Sequence, residues 1–262
     1  MRRKIWHSAL LLATILVAAT PLACSRQRSG ARRAPAHPPG SASENPAAIP
    51  HPCPPQPTGP QTAGRDSLLN RFRPKLEPWA ALWAEAQPGF GLDSTWLVAR
   101  RHWGQLGVVA FEPPTKETPD DVTFEILGLR SPDGVHTLNV DSYQLIEPAG
   151  DTLEVGGEPD SRCTLIDHRT RREAVLEFSG TSGGYHWGAW LTPDAFAVGA
   201  WLDADDYGQW KQATLSIYTI PDSTESVYQS RIVSAADYER YMRAWHRWLL
   251  GRYRSLRSKP AT

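Results

Sequence analysis

Ser182 stands between Gly180 and Gly184 in FSGTSGGYHW, a G-x-S-x-G pentapeptide of the kind that can hold a covalent nucleophile. Such a serine needs an imidazole to take its proton and a carboxylate to steady that imidazole. Two partner sets occur in the chain: His102 and Asp141 before the serine, and Asp203 or Asp205 with His246 after it. The geometry also needs a strand that runs into a tight turn and then a helix, which lifts the hydroxyl clear of the sheet. Ser182 is followed instead by GYHWGAWLTPD, which reads as a strand. The expectation is a glycine-rich hairpin joining AVLEF to HWGAWL, with Gly183 and Gly184 turning the chain from one extended segment into the next. No catalytic residue is then expected; a serine hydrolase using Ser182, His102 and Asp141 is the alternative.

The five residues around Ser182 resemble the G-D-S-G-G of chymotrypsin-like proteases, with Thr181 where the Asp stands, and His102, Asp141 and Ser182 occur in that family's order. The order Ser182, Asp203 or Asp205, His246 resembles that of the α/β-hydrolases, but the alternating β and α elements of that scaffold are missing from the pattern. A second oxygen-rich stretch, WLDADDYGQW, offers Asp203, Asp205 and Asp206 to a calcium ion. An EF-type loop would also need a ligand at its fifth position and Glu at its twelfth, where Tyr207 and Thr214 stand. A solvated loop is the expectation and no cofactor is foreseen. Tyr185, Trp187, Trp190, Trp201, Tyr207 and Trp210 crowd around these two stretches. They read either as packing or as a surface for a sugar ring or a peptide.

The amino terminus states an address. MRRKIWHSALLLATILVAATPLACS has a basic start, an apolar run over 9–19 and small residues before a cysteine, the three-part layout of a secretory signal. PLAC resembles the lipobox of bacterial lipoproteins, which implies a lipid on Cys24, a membrane anchor there and, with Ser25 next, sorting to the outer membrane or cell envelope. Cleavage after Val17–Ala19 would instead release a soluble periplasmic or secreted protein. Residues 24–65 are rich in Pro, Ser, Ala and Gly and read as a tether behind a 1–23 signal peptide. Cys53 within it could pair with Cys163 in an oxidising compartment. The three cysteines form no zinc-type spacing, and Lys plus Arg (28) equals Asp plus Glu (28), so net charge points to no nucleic-acid partner.

The elements that must position these residues fall within 66–262, read as one domain. EPWAALWAEAQ, 77–87, places Trp79, Leu82, Trp83 and Ala86 at helical spacing. VTFEI and HTLNVD alternate as strands, and CTLID, AVLEF, HWGAWL, FAVGAWL, ATLSIY and ESVYQSRIV follow, punctuated by SPDG, EPDS, TPDA and IPDS turns. The succession of turn, strand and hairpin resembles the strand meanders of β-propeller blades, but two such units cannot close a ring. The fold class expected is mainly β: antiparallel meanders in a sandwich or partial propeller-like arrangement, with a short N-terminal helix and a long amphipathic C-terminal helix over 235–257.

That last helix opens with a capping box, Ser234 and Asp237. Tyr238, Tyr241, Met242, Trp245, Trp248, Leu249 and Leu256 form its apolar stripe, which should cover an open sheet face. Arg240, Arg243, Arg247, Arg252, Arg254, Arg257 and Lys259 stand elsewhere on it, available to water or to anionic headgroups. The function expected is a non-catalytic, tethered binding or assembly module at the envelope, taking an envelope protein or a glycan. A structural lipoprotein with a membrane-facing basic helix is a further alternative.

Overall fold

Asp66 starts the first helix by accepting hydrogen bonds from the amides of Leu68 (2.8 Å) and Leu69 (3.3 Å), and the chain then runs helical for 20 residues. The computed structural model describes residues 66–103, 108–110, 122–157 and 159–258. In chain order these form α1 (Ser67–Ala86), a single 3-10 turn (Leu92–Ser94), β1 (Trp96–His102), β2 (Val108–Ala110), α2 (Val122–Leu127) and β3 (Gly128–Arg130). There follow β4 (His136–Asn139), β5 (Gln144–Ala149), β6 (Thr152–Gly157), β7 (Ser161–Asp167), β8 (Arg172–Ser179) and β9 (Gly183–Thr192). The chain closes with β10 (Ala195–Asp203), β11 (Trp210–Thr219), β12 (Thr224–Ser234) and α3 (Ala235–Arg257). Residues 1–65, which hold Cys24, Cys53 and the stretches expected to be a signal peptide and a tether, lie outside the described residues.

The strands make two five-stranded antiparallel sheets, in the orders β1-β12-β11-β10-β9 and β2-β8-β7-β4-β3, and β5 and β6 pair as a separate hairpin. The fold is thus mainly β, built from antiparallel meanders in a sandwich, with a helix at its carboxyl end. The Pro-Asp pairs of SPDG, EPDS, TPDA and IPDS lie in connections between strands, where Pro presets φ and Asp133 and Asp222 bond nearby amides.

Sheet one is covered on both faces. Phe196, Val198, Ala200, Tyr185 and Tyr218 point at Leu138, Cys163, Leu165 and Leu176 of sheet two. The alternate residues Ala195, Ala197, Ala213, Leu215, Ile217 and Tyr228 pack under α1 and α3. Hence β9 and β10 read as nearly continuous apolar runs, because neither side faces water. Gly199 belongs to the helix-facing set: a Cβ there would lie 2.3 Å from the Trp79 ring, so α1 sits against bare backbone. Trp245 and Leu249 of α3 close a smaller cluster with Ile126, Leu127 and Ile146.

Three local expectations change. α1 begins ten residues earlier than 77 and contains Pro74 and Pro78, because Leu69, Phe72 and Leu76 extend the buried stripe and packing outweighs the lost backbone bonds. VTFEI is helix α2, not a strand: Ile126 and Leu127 are buried beneath α3, and the Thr123 hydroxyl accepts from the Ile146 amide at 2.8 Å. AVLEF and HWGAWL are not a hairpin, since β8 and β9 belong to different sheets.

Candidate functional site

The two sheets meet at a row of polar side chains. Arg101 on β1 lies directly opposite Glu225 on β12, which lies directly opposite Tyr218 on β11, so all three side chains emerge on one face in register. From sheet two, Glu177 of β8 descends onto this row. The Arg101 guanidinium donates to Glu225 through Nε (2.5 Å) and to Glu177 through Nη2 (3.3 Å). The Tyr218 hydroxyl donates to Glu177 at 2.7 Å, and the Ser216 hydroxyl donates to Glu225 at 2.8 Å and approaches Glu177 at 3.5 Å. Above the row opens a cavity of about 300 Å³, lined by Arg101, His102, Trp103, Leu176, Phe178 and Tyr185 beside the two glutamates. Glu225 is 2 % exposed, whereas the Phe178 ring at the lip is 56 % exposed.

One guanidinium thus faces two carboxyl groups. Burial pushes Glu177 up to about 7, and the adjacent Glu225 reinforces the shift. Burial also presses Glu225 upward, but its bonds from Glu177, Arg101 and Ser216 outweigh this and hold it below the ordinary range. Around them burial raises the phenols of Tyr185 and Tyr218 and the Cys163 thiol, with Glu177 adding to each. The arrangement is an ionised Glu225 next to a Glu177 that keeps its proton to near neutrality. Arg101 and Ser216 each reach both carboxyl groups, so the pair is gathered around one guanidinium and one hydroxyl. They form a carboxyl pair at the floor of a cavity with an aromatic lip.

The residues singled out from sequence are dispersed. Ser182 is exposed on the crossover from β8 to β9, where its carbonyl accepts from the Asp203 amide at 2.7 Å. Among the described residues no imidazole or carboxylate bonds its hydroxyl. His102 ends β1, with three strands lying between it and β9 in the sheet, and its Nδ1 donates to the Asp222 carbonyl at 3.2 Å. Asp141 is 3 % exposed and holds the β4–β7 region by accepting from the Ser161 hydroxyl (2.6 Å) and the Tyr143 amide (3.1 Å). His246 is exposed on α3. The pentapeptide's last two glycines serve close packing rather than turning: a Cβ at Gly183 would lie 2.3 Å from Ser179 Oγ, and one at Gly184 would lie 2.7 Å from the Trp201 indole nitrogen.

Asp203 pairs with Lys211, whose ammonium sits 4.3 Å from the Trp201 ring centroid, and Asp205 accepts from the Trp210 amide at 3.1 Å. Asp206 is exposed beside them, and among the described residues no group of three or more His, Cys, Asp or Glu is placed to hold a metal ion. Of the aromatic set, Tyr185 and Trp187 are buried, and Trp190, Trp201 and Trp210 are partly buried. The Trp190 indole donates to the Leu129 carbonyl at 2.6 Å. Tyr207 alone of the six is exposed. Burial thus places Tyr185 and Trp187 within the fold and leaves only Tyr207 open to solvent for most of its surface. Cys163 is a free thiol at 0 % exposure between the sheets, so the proposed bridge to Cys53 would have to reach into the core.

The α3 arginines are mostly staples. Arg240 donates to the Ala86 carbonyl (3.1 Å), Arg252 to Ile126 (2.9 Å) and Arg254 to Asp151 (3.2 Å), while Arg247 pairs with Glu85 and Arg257 lies 3.9 Å from Glu125. Lys259 lies outside the described residues.

Sequence reasoning passed over the glutamate pair. No local signal marked it: in AVLEF Glu177 turns inward and Phe178 outward, an inversion of polarity that only the structure shows. No family model matches the chain, and neither a curated protein nor a solved structure matches it.

Proposed function

We propose that the chain is an exported, lipid-anchored binding module of the cell envelope, fastened through Cys24, whose ligand enters the cavity between β1, β8 and β12. The amino-terminal layout and the PLAC stretch support export and anchoring, and the Pro-rich 24–65 segment would give the domain reach. One observation carries the binding reading: a cavity of about 300 Å³ with a mostly exposed Phe178 at its lip and converging Arg101, Tyr185 and glutamate groups at its floor. An apolar wall with a few aimed polar groups is the make-up of ligand sites. Catalysis by Ser182 lacks support, because its candidate partners are engaged elsewhere. An envelope protein or a glycan is the expected ligand.

The test places a photo-crosslinking phenylalanine analogue at position 178 of the exported full chain. A discrete adduct to an envelope protein or to cell-wall glycan is expected, with none from the same group at Leu145, an equally exposed position on β5. Identical patterns at the two positions would remove the cavity as the site. Mass spectrometry of the mature amino terminus should find diacylglyceryl-Cys24; an unmodified chain starting at Thr20 would mean a soluble protein. Fluorophosphonate labelling that disappears in Ser182→Ala would instead favour the hydrolase.

A further inference from the structure

We propose that a single proton shared by Glu177 and Glu225 latches the two sheets together at the cavity, and that the sheets part there when this proton is lost. The geometry sets the charge count. Glu177 comes from sheet two, and its polar partners Arg101, Glu225, Ser216, Tyr218 and Tyr185 all come from sheet one. With the proton in place, one ionised carboxylate balances one guanidinium. Without it, two carboxylates gathered around the same guanidinium and the same Ser216 hydroxyl face one positive charge in a site where Glu225 is almost wholly buried, and like charges so placed repel.

β1 supplies Arg101 and the exposed His102 at the cavity wall; β12 supplies Glu225; β11 supplies Tyr218 and Ser216; β9 supplies Tyr185; β7 supplies Cys163, the direct cross-strand partner of Glu177. Both phenols and the thiol are pushed upward and stay neutral through the acid and neutral range. Arg101 is the compensating cation, and it is also held by Glu225. Near neutrality the titrating group of the latch is therefore Glu177, whose proton leaves at about 7. For the binding reading, the latch would make the cavity wider and more negative as pH rises. The latch itself needs no ligand.

Cys163 reports the opening, because it is completely buried beside Glu177 and the sheets must separate to expose it. The experiment reacts the full chain with N-ethylmaleimide from about pH 5 to about pH 8 and reads modification at Cys163 by peptide mass mapping. At each pH the rate is divided by that of the urea-unfolded chain, which removes the intrinsic thiolate dependence. The quotient should rise about tenfold or more across the range in the wild-type chain and stay level in Glu177→Gln. A quotient that is flat or falls in the wild type overturns the latch, and so does an equal rise in Glu177→Gln. Should the variant fail to fold, the wild-type quotient decides alone. Failure of the crosslinking test at Phe178 would leave this result untouched, so the two readings fail separately.

Discussion

At the scale of single residues, the molecule turns on an asymmetry: Arg101 is largely exposed, whereas its partner Glu225 is not. Removing the cation strands a buried carboxylate, and breaking a fully buried pair costs about 3–5 kcal/mol. Because the guanidinium has solvent access, Arg101→Met should destabilise by less, about 2 kcal/mol at neutral pH in urea denaturation. Arg101→Lys should recover part of that loss. An unchanged midpoint for Arg101→Met would mean that Glu225 is held by Ser216 and Glu177 alone. These residues were visible in the sequence, but their meeting was not. Glu177 and Glu225 lie far apart in the chain, and no local pattern records which strand of one sheet settles on which strand of another. Ser182 shows the converse. Its pentapeptide was conspicuous, yet Gly183 and Gly184 are explained by the nearness of Ser179 and Trp201.

At the scale of elements, α1 and α3 are shaped by the sheet face beneath them. Gly199 lets the Trp79 ring lie on the β10 backbone, so Gly199→Ala must move α1 or twist the indole off its rotamer. The expected loss is about 1–3 kcal/mol in denaturant unfolding, with near-ultraviolet circular dichroism reporting the displaced tryptophan. An unperturbed spectrum together with wild-type stability would show that α1 is not seated there. α3 keeps Arg240, Arg247, Arg252, Arg254 and Arg257 occupied with Ala86, Glu85, Ile126, Asp151 and Glu125, leaving Arg243 exposed, and its stripe is buried or half-buried. Arg247→Glu should therefore leave the affinity of the non-acylated chain for anionic vesicles unchanged in co-sedimentation. A clear drop would restore the membrane-facing helix. The long helix was legible because its capping box and its stripe are both local signals. α2 was not, since a six-residue segment carries too few turns for a period, and burial under α3 decides its form.

At the scale of the whole molecule, two buried groups oppose one another in pH. Glu177 is raised from 4.5 to about 7, so the stability it contributes is full below 4.5 and is lost as pH climbs toward 7. His186, stacked on Trp245, is lowered from 6.5 to about 3 by burial, with His246 assisting; its contribution is full above 6.5 and is lost as pH falls toward 3. Between 4.5 and 6.5 the two slopes have opposite signs, so the wild-type unfolding midpoint should be nearly level across that interval. Glu177→Gln removes one slope and exposes the other, so its midpoint should climb with pH over the same range. Parallel curves for the two proteins would show that Glu177 titrates like an ordinary carboxylate.

The sequence by itself determined the strand-rich composition, the Pro-Asp turns and the long capped helix, because each arises from neighbours within a few residues whose backbone preferences or spacing act locally. Only the tertiary structure decided that AVLEF and HWGAWL part into different sheets, that most of the α3 arginines bind neighbouring carbonyls and carboxylates, and that two remote glutamates share one guanidinium. Those outcomes depend on burial and on contacts between segments distant in the chain, where desolvation rather than local propensity sets the energy.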